Sequence, residues 1–133
     1  MDERNAILDE IVVSGLQEAL PRRTYLVLSA MAFLADPDTR EVTKRVEEIA
    51  GKTRSMMLPD TIIFPDQVAG VIHQLCDSGI VEKVSEGDPP TYRVAADYRR
   101  LVEVKEMIDK GEQEFPHVEP NRPKFRQRGS RPL

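Results

Sequence analysis

The chain has 133 residues, of which 40% are hydrophobic and 32% charged, with a formal net charge of −4. That length holds one domain with appendages and enough apolar residues for a single core. Four phenylalanines, three tyrosines and no tryptophan exclude a base-stacking platform for single strands. One cysteine, Cys76, excludes an internal disulfide and suits a reducing cytoplasmic compartment.

The acidic opening, MDERNAILDE, lacks the basic segment that starts a secretory signal. Residues 3–20 read as an amphipathic helix, with Ile7, Leu8, Ile11, Val12, Leu16, Ala19 and Leu20 at helical spacing. Gly15 lies inside that apolar stripe, where glycine costs about 1 kcal/mol relative to alanine, which suggests close approach to another backbone. Pro21 ends the helix. A second helix, 22–35, is apolar nearly all round and should be central. Its run YLVLSAMAFLA is shorter than the roughly 20 residues that cross a bilayer, so no membrane partner is expected.

DPDT breaks that helix. Asp38 and Glu41 have the D-x-x-E spacing of a capping box and predict a third helix from there, with Val42, Val46, Ile49 and Ala50 inward and Gly51 at its end. Lys52 to Phe64 interrupt the periodicity, and TIIF within them reads as a short extended piece. Met56, Met57 and Leu58 either fold onto the core or form an adaptable contact surface.

Pro65 is well placed as the first residue of a fourth helix. Val68, Ile72, Leu75 and Cys76 form its core face and Gly79 its stop. IVEKV then reads as a strand, SEGDPP as a turn and TYRV as the returning strand. A last helix over 97–110 carries Leu101, Val104 and Ile108 on one side. From Gly111 the chain has four prolines and no periodicity, and reads as a flexible basic tail, 111–133.

QLCDSGIVEKVSEGDPPTYRV closely resembles the winged helix-turn-helix superfamily. Its members end the recognition helix with a leucine, then an acidic residue, then glycine and an apolar strand. Here those are Leu75, Asp77, Gly79 and Ile80–Val81. VEEIAGKT at 46–53 resembles the preceding motif helix. The resemblance covers about 22–95 and implies a mainly α fold with a small antiparallel hairpin, flanked by extra N- and C-terminal helices. The expected organisation is an N-terminal helix over 1–21, a winged domain over 22–96, a helix over 97–110 and the tail. Flanking helices resemble those of the dimeric MarR and PadR families. The insert at 52–64 exceeds the three or four residues usual between the two motif helices.

With its core face inward, the fourth helix turns Asp66, Gly70, His73, Gln74 and Asp77 outward, with Gln67 at the margin. Gln67, His73 and Gln74 suit hydrogen bonds to base edges. Gly70 permits close approach. Asp66 and Asp77 have the wrong sign for phosphates. Phosphate-binding cations lie elsewhere: Lys52 and Arg54, Lys83 and Arg93 on the wing, Arg22 and Arg23, and Arg122, Lys124, Arg126 and Arg128 in the tail. Phe125 among the tail cations adds an apolar or stacking contact.

His73 and Cys76 stand at i, i+3, but two ligands do not make a metal site. No phosphate loop, nucleophile motif or paired-carboxylate context appears, so neither catalysis nor a cofactor is expected. The apolar stripes of the first and last helices either cover the chain's own core or pair two copies. Ile7, Ile11, Gly15, Leu101, Val104 and Ile108 are the residues expected at a homodimer interface. The sequence therefore points to a dimeric winged-helix regulator binding double-stranded DNA. Its alternative is an adaptor that docks on a protein or ribonucleoprotein assembly.

Overall fold

A computed structural model describes residues 6–56 and 63–115. The Met57, Leu58 and Thr61–Ile62 readings, and all those on the tail beyond Phe115, lie outside that range. Helices α1 (Ala6–Ser14), α2 (Leu16–Ala19) and α3 (Arg22–Leu34) are followed by strand β1 (Glu41–Thr43). Next come α4 (Val46–Ser55), α5 (Pro65–Ser78), the hairpin β2 (Val81–Ser85) and β3 (Thr91–Val94), and α6 (Tyr98–Asp109). From α3 onward this is the winged helix-turn-helix order, with α1, α2 and α6 added around it.

The centre is α3. Its Val27, Leu28, Ala30, Met31 and Ala32 are fully buried, as an all-apolar helix requires. Ile49 and Ala50 of α4, Val68, Val71, Ile72 and Leu75 of α5, and Val42, Tyr92 and Val94 of the sheet close around it. Each large aliphatic side chain buried this way contributes about 1.5–3 kcal/mol. The inward face expected for α5 is correct at Val68, Ile72 and Leu75, gains Val71, and leaves Cys76 half-buried.

The sequence expectation for the N-terminal helix needs correction at Gly15. The backbone there turns left-handed (φ +90°), and splits one helix into α1 and α2. What approaches Gly15 is a side chain: a Cβ would lie 2.9 Å from Lys105 Cε. The dimer residues are also reassigned. Ile7, Ile11, Leu101 and Val104 are 0–2% exposed within one chain, because α1 packs against α6, and Ile108 packs against the same core. They cover the chain's own interior.

The third helix begins later than the Asp38–Glu41 spacing suggested. Asp36 Oδ1 instead accepts from the Asp38 and Thr39 N–H groups (2.7 and 3.2 Å), making a turn. Glu41–Thr43 then pairs with β3, so Val42 is buried by the sheet and not by a helix. The real start of α4 is marked by Glu48, whose Oε1 accepts from the Arg45 N–H at 3.0 Å. Gly51 is inside α4, which runs on to Ser55 with Lys52 and Arg54 in its last turn, favourable for the helix dipole. The connection to α5 is therefore shorter than the insert read from the sequence.

The sheet has three strands in the order β1-β3-β2, one more than the expected hairpin, and all pairs are antiparallel. Val81 faces Val94, Lys83 faces Tyr92, and the register shifts between Lys83 and Ser85. Such an irregularity on an edge strand discourages pairing with another chain. Pro65 opens α5 as expected, and Gly79 ends it in the left-handed conformation (φ +89°).

Candidate interaction face

The candidate residues from the sequence fall on the exposed side of α5, at the end of α4 and on the hairpin β2–β3. Asp66, Ala69, Gly70, His73 and Asp77 are exposed along α5. A Cβ added at Gly70 would meet nothing within 4 Å, so this part of the helix is low and open. His73 Nε2 lies 3.4 Å from Asp77 Oδ2, with the two side chains 77% and 67% exposed. The histidine is therefore turned along the helix towards an acid.

The two glutamines expected to read bases are half-buried, and one of them is used by the protein itself. Gln67 Oε1 accepts from the Phe64 N–H at 2.9 Å and caps the start of α5. The side-chain oxygen of Gln74 is buried and has no donor among the described residues. Of the three base-reading candidates, only His73 projects into solvent.

The cations follow the same pattern. On the sheet, Arg93 stands between Glu41 on β1 and Glu82 on β2, which the register places opposite it on either side. Its Nη2 donates to Glu41 and its Nη1 to Glu82, both at 3.0 Å. The hydrogen bond to Glu41, with the charge of Glu82 added, raises the guanidinium pKa further. Lys83 Nζ lies 3.6 Å from Glu86 and 5.9 Å above the Tyr92 ring. Lys52 Nζ sits 5.1 Å above the half-exposed ring of Phe33, and Arg54 Nη1 donates to the Ile63 carbonyl at 3.3 Å.

At the wing tip, Glu86 and Asp88 are exposed, and Asp88 lies 3.6 Å from Arg45 at the start of α4. Residues 22–96 contain nine lysines and arginines against eleven aspartates and glutamates. Acids are thus exposed along α5 and on the wing, while Lys83 and Arg93 on the wing and Arg45 at the start of α4 each lie within 3.6 Å of a carboxylate. The acids of SEGDPP were visible in the sequence, but their approach to Lys83 and Arg45 was not.

Behind the face, Arg100 Nε donates to the Ser78 carbonyl at 2.9 Å, so α6 holds the end of α5. Arg100 also crosses Gly79, where a Cβ would come within 2.7 Å of Nε. Cys76 lies near this junction, and burial raises its thiol pKa. Among the described residues no group of three histidine, cysteine, aspartate or glutamate side chains is placed to hold a metal ion. No helix among them is long and apolar enough to cross a membrane. No family model, curated protein or solved structure matches this chain.

Proposed function

We propose that this chain is a winged-helix adaptor whose α5 face and wing tip dock on a basic surface of a protein or ribonucleoprotein partner. The observation that carries the reading is the charge of the face. Asp66 and Asp77 are exposed on α5, which carries no lysine or arginine, while Lys83 and Arg93 on the wing are engaged by Glu86, Glu82 and Glu41. A DNA groove presents phosphates on both sides, and affinity for it comes mainly from cations that replace counterions. This face would instead repel them. Opposite charge on a partner steers encounter and fixes register. Gly70 and Ala69 give such a partner a flat approach to the helix.

The test is a competition between two probes. A random 20-base-pair duplex and a Lys/Arg-rich decapeptide are each titrated into the full chain at low salt, with amide shifts followed residue by residue. Peptide shifts at 66–77 and 82–88 support the adaptor. Duplex shifts at those residues, with none from the peptide, overturn it.

A second reading, the dimeric DNA-binding regulator, is favoured by one feature. Arg122, Lys124, Arg126, Arg128 and Arg131 lie in a stretch with no acid after Glu119. On that reading the tail supplies the phosphate contacts that the wing lacks. Two-fold pairing through the N-terminal layer would then use Val12 and Val13, which are 47% and 72% exposed.

A further inference from the structure

We draw no further inference here: the strongest candidate, the open cavity between the end of α5, the wing strands and the start of α6, carries nothing, because Lys83, Arg93 and Arg100 in its wall each already meet a carboxylate or carbonyl of the chain and its Cys76 is a lone cysteine with nothing beside it that points to a ligand.

Discussion

Arg40 provides the most demanding test of how the added helices are fixed to the winged core. Its backbone is left-handed (φ +63°), its carbonyl accepts from Val94 N–H at 2.8 Å, and its side chain reaches back to α1. There Nη1 and Nη2 donate to the two Glu10 oxygens at 2.9 and 2.6 Å, and Nη1 also donates to the Ala95 carbonyl. One residue therefore joins α1, the start of β1 and the exit from β3. Hydrogen bonds to charged groups contribute about 1.5–3 kcal/mol when buried. The Arg40 and Glu10 side chains are 23% and 34% exposed, so solvent screening reduces the expected loss in Arg40→Ala to about 2 kcal/mol. Arg40→Gly removes the same side chain but relieves a left-handed conformation that costs a non-glycine residue about 1 kcal/mol. The glycine variant should therefore be the more stable of the two by about 1 kcal/mol, although glycine usually weakens a fold. Urea denaturation followed by circular dichroism measures both, and a double-mutant cycle with Glu10→Ala should return a coupling of about 1 kcal/mol or more. Equal stability of the two variants would show that the backbone at Arg40 is not strained. A coupling below about 0.3 kcal/mol would show that the clamp holds nothing.

Other positions give shorter tests. Gly70→Ala should stabilise the fold by about 0.5–1 kcal/mol in thermal melts, since the site is helical and open, yet weaken capture of the basic decapeptide. Gly79→Ala should cost more than about 1 kcal/mol, because the residue is left-handed and Arg100 occupies the space. Neutralising Lys83 and Arg93 together should leave duplex affinity and its salt slope unchanged, as both are engaged by carboxylates; a lower slope would place the wing on DNA. Burial favours the neutral Cys76 thiol, so its stabilising contribution is complete below the unfolded thiol's pKa and is lost as pH rises through the raised folded value. Cys76→Ser should therefore flatten the alkaline loss of stability, and iodoacetamide should label Cys76 more slowly in the folded chain than in urea.

The parts of this fold that were legible in the sequence are those with local punctuation. Pro65, the aliphatic row Val68, Ile72 and Leu75, and Gly79 define α5 by residues that act within one helix. The parts that were not legible depend on distant partners. Glu41–Thr43 is only three residues long and becomes a strand because Tyr92 and Arg93 on β3 pair with it. Read alone, Asp38 and Glu41 look like a helix start. Similarly, the stripe on α1 looked available to a second copy because nothing in residues 3–20 reveals that α6 covers it.

The same distinction governs the candidate face. Single residues read as a list suggested an equal contest between base-reading amides and repelling acids. Register places Arg93 between Glu41 and Glu82, so a phosphate-binding candidate is engaged by two carboxylates on the sheet. Capping does the same for Gln67 at the start of α5. The ion pairs engage donors at Arg93 and the cap engages an acceptor at Gln67, and neither engages an acid at Asp66 or Asp77. The exposed side of α5 thus carries acids at Asp66 and Asp77 where a groove contact would need cations.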